Sequence, residues 1–224
     1  EQDFDSQSVV DGLVLGDGQE KTLSTTNRSK YILLTIGKND QDYFSVTSGV
    51  SDFIDAKPFD KLAHRVKTTF EYGELGRTYD REIPDRYFYA TDFIKRSFLR
   101  GLYSANGSVV SDRVTLKAAS FQVISRVQHM LSSLGIRSYY TTNAAHEVEF
   151  KNGTYVCKES YDLNITADKR LFKALIGFIQ LDKQERLDLI CKPKGISGGK
   201  PKVSYEIRSC TYLGRMPVHD ISVA

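Results

Sequence analysis

Hydrophobic residues recur along this chain with two periods, one typical of helices and one typical of strands. The clearest helical period lies at residues 120–134, where the apolar side chains share one face: Val123, Val127, Met130, Leu131 and Leu134. Ser120 suits the N-cap of this helix, and Gly135 suits its C-terminal end. Asp168–Phe178 and Asp182–Ile190 predict two shorter helices, the first with an apolar stripe at Leu171, Leu175 and Phe178.

Polar and apolar residues alternate in five further segments, and basic residues are interleaved in them. This period of two, rich in β-branched and aromatic residues, predicts strands. The five segments are Lys30–Ile36, His64–Phe70, Ser111–Lys117, Arg137–Thr142 and Ser160–Thr166. The mixture of helices and strands predicts an α+β protein.

Two ten-residue stretches are near copies of each other: VVDGLVLGDG at Val9–Gly18 and FLRGLYSANG at Phe98–Gly107. They begin 89 residues apart, which indicates a duplicated unit of about that size. Each copy is followed by predicted strands that carry basic residues. We therefore expect two units, each running helix, strands, helix, strands, helix.

Small residues lie four positions apart within each copy, Gly12 with Gly16 and Gly101 with Ala105. On a helix this spacing gives one smooth face, which lets two helix backbones approach closely. Glycine inside a helix costs about 1 kcal/mol relative to alanine, so several glycines need a compensating contact. Packing of the two copies against each other would provide that contact.

Asp17 and Asn106 occupy the same place in the two copies, directly before a glycine. Gly18 and Gly107 suit the left-handed conformation that often follows a helix, so each polar residue is expected on a last helical turn. Acids are unfavourable at a helix C-terminus, where the dipole is negative. A functional role therefore explains Asp17 better than helix stability does.

The ends of these two helices also present backbone carbonyl oxygens, which point outward in the last turn. Together with the side chains they would form a set of oxygen ligands suited to a hard divalent cation such as Mg²⁺. The expected metal ligands are Asp17, Asn106, Gly16 and Ala105.

Composition limits the function only weakly. Of the 224 residues, 40% are hydrophobic and 26% are charged, and no run of 18 apolar residues exists that would span a membrane. The net charge of +3 is a weak indication of a polyanionic partner. The three cysteines lie far apart and no secretory signal is present, so we expect an intracellular protein of the cytoplasm or nucleoid.

The composition changes near residue 191. The stretch CKPKGISGGKPK is rich in glycine, proline and lysine and reads as a linker. Two β-like segments follow it, VSYEIRSC and PVHDISVA.

Several of these stretches resemble one known family. VDGLVLGDG and LRGLYSANG are similar to the paired motifs of the LAGLIDADG homing endonucleases, and SRVQHMLSSLGI resembles the helix after the second motif in the intein-borne branch. REIP (Arg81–Pro84) resembles the Lys-x-Ile-Pro element of that branch, and PVHDISVA is similar to its penultimate splicing block. The likeness covers nearly the whole chain.

The resemblance implies two αββαββα units related by a pseudo-twofold axis, with the motif helices at their interface. Their antiparallel sheets would form a saddle over the major groove of a long double-stranded DNA target, which admits two-stranded β-ribbons. The implied divisions are 1–90 and 91–192 for the two halves, and 193–224 for the linker and a remnant of the splicing domain. Such a protein would be a monomer.

The resemblance also implies metal-dependent cleavage of both DNA strands, with Asp17 and Asn106 as ligands of Mg²⁺, for which Mn²⁺ or Ca²⁺ can substitute in binding. Arg81 and Lys183 would be the basic catalytic residues. Asn106 offers one neutral carbonyl oxygen, and the Arg81 guanidinium is a poor proton shuttle. We therefore expect slow cleavage or preferential nicking of one strand.

Residues on and beside the predicted strands are the expected DNA contacts. Phosphate contacts would set the affinity, and base-edge contacts would set the sequence preference. The expected residues are Arg28, Lys30, Lys38, Arg65, Lys67, Arg113, Lys117, Arg137, Tyr139 and Lys158.

Two other functions stay open at this point. One is a DNA-binding module of the same fold with weakened catalysis, which the amide at Asn106 favours. The other is a fragment of a self-splicing intein. Splicing needs a nucleophile at the first residue and a terminal His-Asn pair. Glu1 and Ala224 do not meet those requirements, so we expect no splicing.

Overall fold

The structure is a computed structural model that describes residues 3–22, 30–37, 42, 53–58, 63–68, 75–150, 153–192, 208–212 and 214. The chain divides into two units, 1–192 and 193–224. The helices and strands of the described residues lie in the first unit. None of those helices is long and apolar enough to cross a membrane.

Helices and antiparallel strands alternate through the first unit. Its first part contains α1 (Ser6–Asp17), β1 (Gln19–Thr22), β2 (Lys30–Gly37), β3 (Phe53–Pro58), β4 (Ala63–Thr68) and α2 (Asp85–Phe88). Its second part begins with α3 (Asp92–Asn106), β5 (Gly107–Val110), β6 (Arg113–Ala118) and α4 (Phe121–Ser133). It continues with β7 (Tyr139–Asn143), β8 (His146–Phe150), β9 (Gly153–Cys157), β10 (Ser160–Ile165), α5 (Lys169–Leu175) and α6 (Leu181–Cys191).

The two four-stranded sheets share one strand order. The first sheet runs β1-β2-β4-β3 and the second runs β5-β6-β10-β7, so both have the order 1-2-4-3 when their strands are counted along the chain. The hairpin of β8 and β9 is a separate sheet, inserted between the third and fourth strands of the second one. A common strand order is what duplication of one unit would produce.

Each sheet buries one face against helices. On β6, Val114 and Leu116 are fully buried, whereas Arg113 and Lys117 point to the opposite, exposed face. The α4 helix packs against β6 and β10 and covers the buried face. The core of the first sheet comes from β2, where the buried side chains of Ile32, Leu34 and Ile36 share one face.

The predicted helix at residues 120–134 is confirmed as α4. The Ser120 hydroxyl accepts a hydrogen bond from the Val123 backbone N–H at 3.4 Å, as an N-cap does. Gly135 adopts a left-handed φ of 76°, and the Ile136 N–H then donates to the Leu131 carbonyl at 2.8 Å. Each of the five predicted strands also overlaps an observed strand.

The apolar stripe predicted for the next helix is only partly correct. Leu171 is 36% exposed, and the fully buried residue is its neighbour Phe172. Phe172 packs edge-on against the Tyr103 ring of α3, with the ring centroids 4.8 Å apart. The helix α5 ends at Leu175, so the buried Phe178 belongs to the segment that follows the helix and not to the helix itself.

The left-handed conformation predicted for Gly18 and Gly107 is wrong. Both residues are extended, with φ of −65° and −91°, because the chain passes directly from each helix into a strand. Glycine is required there for space. A Cβ at Gly18 would lie 2.5 Å from the Val14 carbonyl oxygen, and one at Gly107 would overlap the Tyr103 carbonyl oxygen.

Little of the second unit is described. Residues 208–212 and 214 form no helix or strand, and where their exposure is given they are exposed. The predicted linker after residue 192 and most of the two β-like segments lie outside the described residues, so those predictions stay open.

Candidate functional site

The two motif helices pack against each other in parallel, with Gly12 facing Gly101. A Cβ at Gly12 would overlap the Phe98 carbonyl oxygen and lie 2.7 Å from the Leu102 nitrogen. A Cβ at Gly101 would lie 2.9 Å from the Leu13 nitrogen. No side chain fits between the two backbones, which confirms the close packing predicted from the spacing of small residues.

This packing brings the C-terminal ends of α1 and α3 together. A Cβ at Gly16 would overlap the Ala105 methyl group and lie 3.3 Å from the Asn106 Oδ1. The amide of Asn106 therefore lies beside the end of α1, where Asp17 is the last helical residue and is exposed. Both helices lead directly into the first strand of a sheet, so the two polar residues lie where the two sheets begin.

Arg81 contacts the end of α1 through its guanidinium. Its Nη1 donates to the carbonyl oxygens of Leu15 and Gly16, both at 2.7 Å, and its Nη2 donates to that of Gly18 at 2.6 Å. A cation there complements the negative end of the helix dipole. The Gly16 carbonyl was expected to bind metal, and a metal ion would share that oxygen with the guanidinium.

Lys183 contacts the end of α3 in the same way. Its ammonium donates to the Ser104 carbonyl oxygen at 2.7 Å, and Gln180 Nε2 donates to the same oxygen at 2.8 Å. The Ser104 hydroxyl accepts from the Ile179 N–H at 2.9 Å. Ser104 corresponds to Leu15 in the two motif copies, so Arg81 and Lys183 reach equivalent helix ends.

The segment that carries Arg81 is fixed by α4. The Ser120 hydroxyl donates to the Arg81 carbonyl oxygen at 2.7 Å, and Arg126 Nη1 donates to the Ile83 carbonyl oxygen at 2.7 Å. Ile83 itself is fully buried. The backbone that positions the guanidinium is thus held by contacts made 39 and 43 residues further along the chain.

Asp11 is a buried acid that the sequence analysis did not single out. Its carboxylate accepts hydrogen bonds from Gln7 Nε2 at 2.7 Å, from Arg86 at 3.2 Å and from the Tyr87 hydroxyl. Burial raises the pKa of Asp11 to about 7, against the opposing effect of the bond from Gln7 and the charge of Arg86. The carboxylate joins α1 to α2 away from the helix ends. In the sequence, the one feature that could have drawn attention to Asp11 is its position directly before Gly12 of the first motif copy.

The predicted DNA contacts of the second sheet fall into two groups. Arg113 and Lys117 on β6 and Tyr139 on β7 are exposed on the face away from the core. Arg137 instead forms an ion pair with Asp168, with Nε and Nη2 at 2.6 and 2.8 Å from the two carboxylate oxygens. That pairing leaves Arg137 less available to DNA than the sequence suggested.

Other predicted contacts are less fully defined. Lys158 follows β9, and its ammonium lies 4.7 Å from the centroid of the Tyr79 ring. Three more lie on strands for which only the backbone is described: Lys30, Arg65 and Lys67. The remaining two, Arg28 and Lys38, lie outside the described residues.

The oxygen atoms at the ends of the two motif helices are suitable ligands for a hard cation. Among the described residues, no group of three or more histidine, cysteine, aspartate or glutamate side chains could hold a metal ion. A metal here would depend on the carboxylate of Asp17, the amide oxygen of Asn106 and backbone carbonyls. These are oxygen ligands at the negative ends of two helix dipoles, which fits Mg²⁺ or Ca²⁺ better than a softer metal.

Comparison with known proteins agrees with this fold. The family model described as a LAGLIDADG-like domain matches residues 93–177, so this part of the chain is similar to that domain. No curated protein matches the sequence.

Solved structures are similar as well. Mesophilic variants of the homing endonuclease I-DmoI are 19% identical, with a TM-score of 0.53 over 76% of this chain and 89% of theirs. I-DmoI in complex with DNA and Mn is also 19% identical, with a TM-score of 0.51 over 76% of this chain and 95% of its own. The arrangement of helices and antiparallel sheets is therefore that of LAGLIDADG homing endonuclease structures.

Proposed function

We propose that this chain is a site-specific DNA endonuclease of the homing type, which hydrolyses phosphodiester bonds in a long double-stranded target. One observation carries the proposal: parallel packing of α1 and α3 brings the ends of the two motif helices, which carry Asp17 and Asn106, side by side where the two sheets begin. A pair of oxygen ligands at the junction of two equivalent sheets suits two scissile phosphates, one from each DNA strand.

Double-stranded DNA is the proposed partner. The second sheet presents Arg113, Lys117 and Tyr139 on its exposed face, and a pair of antiparallel strands fits the major groove. I-DmoI, which has the same fold, was solved in complex with DNA. The remaining residues that we propose to contact DNA are Arg28, Lys30, Lys38, Arg65, Lys67, Arg137 and Lys158.

Mg²⁺ is the proposed cofactor, with Mn²⁺ or Ca²⁺ as substitutes in binding, and Asp17 and Asn106 would hold it with the carbonyls of Gly16 and Ala105. Structures of I-DmoI were solved in the presence of Mg, Mn or Ca. When bound, such an ion supplies positive charge to phosphoryl oxygens and lowers the pKa of water.

Arg81 and Lys183 would add positive charge at the two phosphates. Each lies at one helix end, fixed by carbonyl oxygens within 2.7 Å. Lysine can release and take up a proton, whereas arginine stays protonated in proteins. Proton transfer through a side chain is therefore available at the α3 end and is not available from Arg81 at the α1 end.

A second candidate function, DNA binding with weakened or strand-biased cleavage, is supported by the differences between the α1 and α3 ends. Asn106 supplies a neutral oxygen where Asp17 supplies a charged one, and the Arg81 guanidinium already engages the Gly16 carbonyl. A protein of this kind would bind its target and nick one strand, or bind without cutting.

The remaining proposals concern the chain as a whole. We propose a monomer with internal pseudo-twofold symmetry, with halves at 1–90 and 91–192, that acts inside the cell. The likeness of PVHDISVA to a splicing block supports an origin in the intein-borne branch, with 193–224 as a remnant of the splicing domain.

Selection of cleaved sites from a random duplex DNA pool in Mg²⁺ tests the proposal. Wild type should enrich one long site, and Asp17→Ala should cut it at least about 100-fold more slowly, the usual scale for loss of an essential charge stabiliser. Asp92→Ala removes an exposed acid from the other end of α3 and is the matched control. Equal cutting by Asp17→Ala would refute the site, and specific retention without cutting would support the binding module.

A further inference from the structure

Asp162 is an acid on the exposed face of the second sheet, which also carries the basic residues Arg113 and Lys117. The strand register pairs Asp162 of β10 with Lys117 on one side and with Thr141 on the other. These three residues therefore form one row across the sheet, on the face opposite the buried Leu163. The row lies on the same face as Arg113 and Tyr139.

The carboxylate of Asp162 is oriented by a hydrogen bond from a neighbouring strand. Its Oδ2 accepts a hydrogen bond from Asn143 Nδ2 at 3.1 Å, and within the described residues no ion pair joins its carboxylate to Lys117. Two residues along β10, the Asn164 side chain is buried and accepts from the Thr115 hydroxyl at 3.0 Å. The Asn143 amide thus orients the partly exposed carboxylate, and within the described residues Oδ1 has no hydrogen-bond partner.

A carboxylate on a DNA-facing surface restricts what it can contact. Phosphate oxygens repel it, so it does not contribute to the binding that Lys117 and Arg113 provide through the DNA backbone. In the major groove it can accept a hydrogen bond from the amino group of a base. Cytosine presents its N4 amino group without an acceptor on the same base edge, whereas adenine places the acceptor N7 beside its amino group.

Building on the proposed function, we propose that Asp162 is a specificity-determining residue that reads a cytosine in the half-site bound by the second sheet. Its Oδ1 accepts from the cytosine N4 amino group, while the Asn143 amide fixes the carboxylate plane through Oδ2. The basic residues beside it set affinity, and Asp162 sets the base at one position.

Selection of bound duplexes from a random pool tests this assignment, with EDTA present so that cleavage removes no sequence. The full chain is compared with Asp162→Asn, Asp162→Ala and Asp92→Asn. Asparagine has the size of aspartate and pairs with adenine N6 and N7, so Asp162→Asn should change the preferred base at one position from cytosine to adenine. Asp162→Ala should lower discrimination there about tenfold, within the range for one base-edge contact.

The control separates base reading from a general charge effect. Asp92→Asn also removes one negative charge, at the first turn of α3, and should keep the wild-type sequence preference. An unchanged preference in both Asp162 variants, in folded proteins that still bind the selected site, would overturn the assignment alone. If wild type enriches no sequence, both the proposed function and the assignment of Asp162 as a base-reading residue fail.

Discussion

Arg81 and Lys183 donate to equivalent carbonyl oxygens at the ends of the two motif helices, that of Leu15 at 2.7 Å and that of Ser104 at 2.7 Å. The two helix ends thus have the same architecture but different cations. The guanidinium reaches three carbonyl oxygens, and the ammonium shares one carbonyl with Gln180. This difference, with the acid and amide at Asp17 and Asn106, is where the two halves of the site diverge.

Replacement of Arg81 should reveal its role in fixing the end of α1. Arg81→Ala leaves three carbonyl oxygens without this donor and should lower the free energy of unfolding by about 2 kcal/mol, the scale for hydrogen bonds from a charged group. Arg81→Lys keeps the charge but loses the planar fork, so it should recover only part of that loss. Urea denaturation measures both variants, with exposed Arg113→Ala as the control. Equal stability of Arg81→Ala and wild type would contradict the assignment.

Exchange of Asn106 for aspartate should strengthen the weaker half of the site. A second carboxylate binds a divalent cation more tightly than an amide oxygen does. We expect Asn106→Asp to raise the ratio of linear to nicked product several-fold on a supercoiled plasmid that carries the selected site. Gel separation of the products in Mg²⁺ and in Mn²⁺ measures this ratio. A lower ratio, with the fold intact, would show that the amide itself is needed.

A methyl group at the crossing of the two helices should be strongly destabilising. In Gly12→Ala the new Cβ would overlap the Phe98 carbonyl and lie 2.7 Å from the Leu102 nitrogen, so backbone would have to move. We expect a loss of about 3 kcal/mol or more, well above the gain in helix propensity of about 1 kcal/mol. Thermal or urea unfolding is the measurement. Gln122→Ala, on the exposed side of α4, should stay within about 0.5 kcal/mol of wild type.

Asp11 should make stability depend on pH in an identifiable window. Its pKa is raised from 3.8 to about 7 by burial, so between these values the folded protein binds more protons at this site than the unfolded chain. The contribution of Asp11 to stability is therefore fully present below pH 3.8 and is lost as the pH rises to about 7.

Comparison with Asp11→Asn isolates that contribution. The difference in unfolding free energy between wild type and variant should change with pH by at most about 1.4 kcal/mol per unit. Urea titrations from pH 4 to pH 8 give this difference directly. A difference that is constant over the window would show that the carboxyl group does not titrate there.

Local sequence patterns were sufficient for several elements. Ser120 and Gly135 delimit α4 because an N-cap hydroxyl and a left-handed glycine act on their own neighbours in the chain. The spacing of small residues likewise predicted the contact between α1 and α3. Strands such as β1 and β5 were missed, since segments of four residues carry too little periodicity to be distinguished from loops.

Contacts between distant residues account for what the sequence did not predict. Gly18 and Gly107 are typical of a left-handed cap, yet both are extended, because each helix leads directly into a strand. Glycine is needed at these positions because a Cβ atom would collide with a carbonyl oxygen of the preceding helical turn. Arg137 looked available for DNA until the fold placed Asp168 beside its guanidinium. Asp11 carries no local sign of the burial that raises its pKa.

The residue types at the two helix ends follow from the order of amino acids alone: an acid in one copy, an amide in the other, and small residues that let the helices meet. The contacts of Arg81 and Lys183 with those ends depend on the folding of the whole chain, because Arg81 lies 64 residues after Asp17 and Lys183 lies 77 residues after Asn106. Periodicity acts over one or two turns of a helix, whereas a site assembled from several segments depends on how the whole core packs.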